Sequence, residues 1–204
     1  MPPYTDGPGY SRPASTCDIA EAVRHRYHGM MSHPSFKDLL ATVDTMHATG
    51  DHDFVPSLIT NDSRTVGPGA VYVALQGLHV DGHNYIQDAL DRGARAIVYG
   101  DASFDDRLGA TCRERSLAVA RVEDGRRSLS ALAAAFYGYP SDELAVIGIT
   151  GTDGKSSTTA FLDQILQGCG AKAGFISTVA RRIEDAEEAN LVHQSTPEAP
   201  VVHG

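Results

Sequence analysis

Apolar positions along most of this chain repeat with a period of either about two or about 3.6 residues, and the switches between them mark its elements. Phe36, Leu39, Leu40 and Val43 fall on one helical face behind Ser35, a side chain suited to an N-cap. After a polar turn at residues 50–53, Val55 to Thr60 predicts a strand. Asn61-Asp62-Ser63-Arg64 is polar and bounded by Gly67-Pro68-Gly69, which predicts a loop. Val71 to Leu75 predicts a strand, and Gln76 to His83 (QGLHVDGH) another polar loop. Tyr85, Ile86, Ala89 and Leu90 make a helical stripe closed by Gly93. Short strands follow at Ala96 to Tyr99 and Leu117 to Val122. Arg126 to Tyr137 predicts a helix with Leu129, Leu132, Ala133 and Phe136 inward, ended by Gly138 and Pro140.

Beyond the linker Gly138-Tyr139-Pro140-Ser141 the pattern changes. Leu144 to Thr159 reads LAVIGITGTDGKSSTT: a β-branched run, then glycines, a lysine and a block of hydroxyls. That order predicts a buried strand, a phosphate-binding loop and a helix start. Gly151 and Gly154 permit backbone angles that bring N–H groups to a polyphosphate. Lys155 would reach the β/γ-phosphates, the Ser156 hydroxyl would help hold Mg²⁺, and the helix N-terminus would face the same anion. The general pattern G-x-x-x-x-G-K-[ST] wants a glycine where Ile149 stands; glycine occurs instead at Gly148 and Gly151. The bland alternative is a glycine turn with an incidental lysine. The next helix would carry Phe161, Leu162, Ile165 and Leu166 inward and stop at Gly168 to Gly170. Ala173 to Val179 would be a strand beside the first, reached by a right-handed crossover. The acidic run Glu184, Asp185, Glu187 and Glu188 reads as a solvated turn.

The 204 residues are enough for one large domain or two small ones, and this pattern divides them. Residues 1–34 form a proline- and glycine-bearing lead-in, expected to be flexible. Residues 35–139 form a first α/β domain, and 143–204 open a second. That second part holds roughly half of a common domain size, so the chain is expected to be a fragment or a degenerate form. Net charge of −9 argues against a nucleic-acid binder, without excluding a basic pocket for phosphates. Cys17, Cys112 and Cys169 are isolated and suggest a reducing compartment, with neither a disulfide framework nor a zinc site. His25, His28 and His33 lack partners at ligand spacing and read as solvent-exposed. No apolar run approaches the ~18 residues a membrane helix needs, nor is there a signal-peptide core, so a cytoplasmic protein is expected.

By itself Asp62-Ser63-Arg64 reads first as a capped turn with an Asp–Arg pair, and Gly77 to His83 is equally ambiguous. Together, Asn61 to Val98 (NDSRTVGPGAVYVALQGLHVDGHNYIQDALDRGARAIV) resembles the N-terminal domain of the Mur ligase family, and Gly148 to Thr159 resembles its ATP-binding loop. The family keeps a glycine at the place of Gly151. Ser195-Thr196-Pro197-Glu198-Ala199 is similar to the T-T-P-E-A run of the member that adds the third residue of the peptide; the ligase that adds the terminal dipeptide lacks it.

The resemblance implies an α/β fold: a small mixed α/β domain binding a uridine diphosphate sugar, followed by the start of a parallel-sheet nucleotide-binding domain. It implies that Asn61, Ser63, Leu78, His79 and Val80 bind the uridine diphosphate end, and that Gln194, Ser195 and Thr196 contact the muramoyl part. Gly151, Thr152, Asp153, Gly154, Lys155, Ser156 and Ser157 would bind ATP, with Lys155 catalytic and Ser156 near Mg²⁺. The reaction implied is ATP-driven amide formation between UDP-N-acetylmuramoyl-dipeptide and an amino acid, through an acyl phosphate. A carbamylated lysine, an acidic metal ligand and an amino-acid-selecting domain would lie beyond Gly204, so this chain alone is not expected to complete it. A monomer is expected. The alternatives are a non-catalytic nucleotide-binding relative, or the ligase adding the terminal dipeptide. Three departures stand out: Asp153 where the family has Asn, Ser156-Ser157 for a Thr pair, and Ser177 where glycine is common, for which the sequence offers no reading.

Overall fold

The computed structural model describes residues 33–77, 80–115, 117–183, 186–190 and 197–203. In chain order the elements are α1 (Phe36–Leu40), β1 (Thr45–Thr49), β2 (Ile59–Thr60), β3 (Val71–Val73), α2 (Ile86–Asp91), β4 (Ala96–Tyr99), α3 (Asp105–Arg115), β5 (Ala118–Val122) and α4 (Gly125–Phe136). Then come α5 (Lys155–Gly168), β6 (Phe175–Ile176), β7 (Ala180–Ile183), β8 (Ala186–Ala189) and α6 (Ala199–His203). They fall into two units, a larger one over residues 33–147 with 197–203, and a smaller one over 148–190.

In the larger unit a five-stranded sheet runs in the order β1-β5-β4-β3-β2. Strands β2 to β5 are parallel and β1 pairs antiparallel with β5. Parallel strands joined through helices are covered on both faces and therefore read as continuous apolar runs. Successive residues point to opposite faces, and here they feed two separate cores. Val71, Val73, Ala96, Val98, Ala118 and Ala120 pack beneath α1 and α4. Tyr72, Ile97, Tyr99 and Val119 pack beneath α2 and α3.

The expected helices at Ser35 and at Arg126 to Tyr137 are present. Ser35 closes a capping box with Asp38, each side chain meeting the other residue's backbone N–H at 3.2 Å. Leu129, Leu132, Ala133 and Phe136 are buried, as their spacing requires. In α2, Ile86 and Ala89 point inward, but Tyr85 ends a preceding 3-10 turn and is exposed. Only Ile59 and Thr60 of the strand expected from Val55 pair with a neighbour.

Two elements escape the apolar pattern. Strand β1 (TMHAT) lies at a sheet edge and is largely exposed, so it needs no apolar face. Helix α3 buries only Leu108 and Cys112, an i,i+4 pair. Gly50, at φ +97°, permits the chain to pass this helix: a Cβ there would stand 2.2 Å from the Leu117 carbonyl oxygen.

The smaller unit departs from expectation. Residues 144–150, which run from the larger unit into this one, form no strand, and Leu144, Val146 and Ile147 of the larger unit are exposed. A buried parallel strand draws its hydrogen bonds from neighbours, and none pairs with it among the described residues. Phe161 and Ile165 on α5 are exposed rather than inward, for want of an apolar layer against them. Strand β6 pairs antiparallel with β7, and β7 with β8, so the expected parallel crossover is absent among the described residues. Glu187 and Glu188 lie on β8 rather than in a turn, and Glu188 pairs with Arg181 at 2.9 Å. What fastens this unit is polar. Asp163, the one buried residue of α5, takes Arg182 of β7 in an ion pair and accepts from Gln167 at 2.6 Å. A pair this buried is specific in geometry but expensive to leave half-made.

Leu132 is fully buried between α4 and the sheet, whereas Met46 on β1 is 61% exposed. Leu132→Ala is expected to lower unfolding free energy by about 2–5 kcal/mol and Met46→Ala by less than about 0.5 kcal/mol, read by urea titration.

Candidate functional site

In the larger unit the loops that follow the parallel strands gather at one edge of the sheet, the place where open α/β sheets bind ligands. After β2 comes the Asn61–Arg64 turn. Asp62 caps it, accepting from the Arg64 backbone N–H at 3.0 Å, and binds the Arg64 guanidinium at 2.7 Å. That bond holds the Asp62 carboxyl below its ordinary pKa. The capped-turn reading therefore describes Asp62 and Arg64. Ser63 is buried, and its hydroxyl bond to Asp88 on α2 is the main cause of that carboxyl's lowered pKa. Asn61 is half-buried and Val80 is exposed. Leu78, His79, Gln194, Ser195 and Thr196 lie outside the described residues.

The loop after β3 is pinned at its base. Gly77 donates to the Val80 carbonyl at 3.0 Å, in a turn where a Cβ on Gly77 would come within 2.5 Å of the same oxygen. Gly82 sits against the Leu75 backbone, and its carbonyl accepts from the Tyr72 hydroxyl at 2.9 Å. Burial, with the carboxylates of Asp62, Asp81 and Asp88 nearby, pushes the Tyr72 pKa up to about 12.

His83 completes the pinning and was not singled out from the sequence. Its side chain is 4% exposed. Nδ1 lies 2.6 Å from Asp81 Oδ1, while the backbone N–H groups of Gly100 and Asp101 donate to Nε2 at 3.3 and 3.4 Å. Backbone N–H groups only donate, so Nε2 is the bare nitrogen and Nδ1 carries the proton. The ring thus ties the loop after β3 to the end of β4. An Asp-x-His pair in a turn was the signal available. Beside it opens a cleft of about 1080 Å³, reached by Gln76, His83, Asp101 and the first turn of α4 from Gly125 to Ser128.

In the smaller unit the glycine loop leads into α5. Gly154 takes the left-handed conformation (φ +76°) as the helix N-cap, and Gly151 has φ +154°. Both angles favour glycine. Residues 151–154 are exposed, and Lys155 and Ser156 are half-buried. Lys155 Nζ folds back onto the carbonyl oxygens of Gly151 (2.7 Å) and Thr152 (3.1 Å), and Ser156 Oγ lies 3.0 Å from Thr178 Oγ1. Ser157 and Asp153 face solvent.

The described part of Ser195–Ala199 belongs to the larger unit, where Glu198 meets Arg126 of α4 at 3.4 Å and Ala199 begins α6. His33, expected in solvent, stacks on Phe136 at 4.6 Å. Cys112 is a buried free thiol and Cys169 an exposed one. No described helix is long and apolar enough to cross a membrane.

The profile of the Mur ligase family, catalytic domain, matches residues 56–137. The UDP-N-acetylmuramyl-tripeptide synthetase of Roseiflexus sp. (strain RS-1) is 44% identical over 71% of this chain and 27% of its own length. The chain carries a Mur ligase family domain. It spans about a quarter of the length of that relative. Among solved structures, a UDP-N-acetylmuramoyl-L-alanyl-D-glutamate–2,6-diaminopimelate ligase shares the fold with a TM-score of 0.54 and 16% identity, over 84% of this chain and 32% of that one. MurF from Acinetobacter baumannii does so with a TM-score of 0.50 and 23% identity, over 68% and 28%. The Mur-family match falls on strands β2 to β5, the loops after β2 and β3, and α4.

The Asp81 carboxyl is held below its ordinary pKa chiefly by the His83 backbone N–H, with the ring adding to it. A carboxyl lowered on folding stabilises fully above its unfolded pKa and loses that contribution as pH falls through the folded value. Stability measured by urea titration is expected to fall below about pH 4, and to fall less steeply there in Asp81→Asn.

Proposed function

We propose that this chain is the N-terminal portion of a ligase of the tripeptide-synthetase type, joining the third amino acid to UDP-N-acetylmuramoyl-L-alanyl-D-glutamate at the expense of ATP. The likeness to the Roseiflexus synthetase, 44% identical over 71% of this chain, carries this reading. In this reading residues 35–139 form the domain that takes the uridine diphosphate end, through Asn61, Ser63 and the loop at 78–80. Residues 143–204 begin the ATP-binding domain, and Gln194, Ser195 and Thr196 approach the muramoyl part.

The chemistry is an in-line phosphoryl transfer followed by acyl transfer. A substrate carboxylate oxygen attacks the γ-phosphorus and ADP leaves. The amino acid's amine then attacks the acyl phosphate carbon, expels phosphate and loses a proton. Little covalent work falls to the protein, so its part is placement and charge neutralisation. Lys155 already presents its ammonium to two oxygens of the loop, and phosphate oxygens would replace those carbonyls with a stronger, charged partner. Ser156 suits Mg²⁺, a hard cation that needs few protein ligands because phosphates and water supply the rest. Bound there, Mg²⁺ would offset charge on the transferred phosphoryl group. Asp153 is exposed, so solvent screens its carboxylate from the phosphates.

Three measurements follow from this assignment. Calorimetric titration with UDP-N-acetylmuramoyl-dipeptide is expected to give binding to the chain, and no heat of binding would overturn the assignment. Lys155→Ala is expected to weaken ATP binding by about 10- to 100-fold, the loss of one charged hydrogen-bonding group. Asp153→Asn is expected to leave ATP affinity unchanged or improve it; a large loss would give Asp153 a role of its own.

A further inference from the structure

Ser156, the second residue of α5, shares a hydrogen bond of 3.0 Å with Thr178. Thr178 stands in the turn between β6 and β7, and that turn is fixed from within by Ser177. The Ser177 hydroxyl accepts from the N–H groups of Val179 (3.3 Å) and Ala180 (3.1 Å) and donates to the Ala180 carbonyl (2.9 Å). Asn190 donates to the Ser177 carbonyl at 2.6 Å. Ser177 is 8% exposed. This network gives Ser177 a structural purpose: it fixes the turn that carries the next side chain.

A hydroxyl carries one proton and two lone pairs. When Ser156 Oγ gives a lone pair to a cation, its proton must point elsewhere, and Thr178 Oγ1 is placed to accept it. We propose that Thr178 is a positioning residue for the divalent cation of the nucleotide complex, acting through Ser156, an assignment that rests on the ATP-binding reading above. The Ser177 turn and Asn190 hold Thr178 in place before nucleotide arrives. No direct contact of Thr178 with the cation is required.

The test compares ATP affinity of the chain by calorimetry with saturating Mg²⁺ and in a chelator. Thr178→Val is expected to weaken binding about tenfold with Mg²⁺ and less than about twofold without it, with Thr178→Ser close to the unsubstituted chain, as for groups that orient a metal ligand. In a Ser156→Ala background Thr178→Val should add nothing, because it acts through that side chain. Thr178→Ala is read the same way if the valine variant unfolds at lower temperature. Equal losses with and without Mg²⁺, losses that add to Ser156→Ala, or no loss at all overturn the positioning role. Absence of Mg²⁺-promoted ATP binding in the unsubstituted chain overturns the ATP reading itself, and this proposal with it.

Discussion

A parallel sheet has no face to give to water, and that constraint organises the larger unit. Strands β3, β4 and β5 are buried on both sides, so helices must cover both, and every connection has to cross from one end of the sheet to the other. The loops after the strands are thereby collected at one edge. His83 turns that collection into a fixed surface, since its two ring nitrogens join the loop after β3 to the end of β4. A flexible loop would have to be ordered by its ligand at an entropic cost. The contacts of Gly77, Gly82 and His83 fix the two ends of the loop after β3, which lowers that cost.

The sheet was legible because its strands are short apolar runs between glycines, and α4 because four apolar residues repeat at helical spacing. Strand β1 and helix α3 were not, for opposite physical reasons. An edge strand such as TMHAT buries too little to carry a pattern, and α3 rests on two side chains. Ser63 and Val80 entered the candidate site only as expectations from the family resemblance, whereas the His83 pin had no signal of that kind, because its partners at Gly100 and Asp101 are seventeen and eighteen residues away and are backbone groups without sequence identity. Ser177 shows the same limit: a serine in place of glycine has no meaning until its turn is seen.

The glycine loop separates what local sequence dictates from what needs a partner. Gly154 and the helix start form without help, since the backbone angle, the cap and the lysine fold are all local. The strand expected before them and the apolar stripe of α5 depend on neighbours; Leu144, Val146, Ile147, Phe161 and Ile165 are exposed here, while Leu162 and Leu166 are half-buried. The smaller unit is instead held by Asp163 and Arg182 and by a three-stranded antiparallel sheet. Under the proposed function the sheet edge faces the sugar nucleotide and the glycine loop the ATP; the chain spans about a quarter of the length of the Roseiflexus relative.

In the proposed function the uridine diphosphate end of the substrate lies on the loops after β2 and β3. A photoreactive 5-azidouridine analogue of UDP-N-acetylmuramoyl-dipeptide, crosslinked to the chain and mapped by mass spectrometry, tests it most directly. Label is expected within residues 61–83, suppressed by excess UDP substrate. Label confined to residues 148–157, or label that excess substrate does not displace, would contradict it.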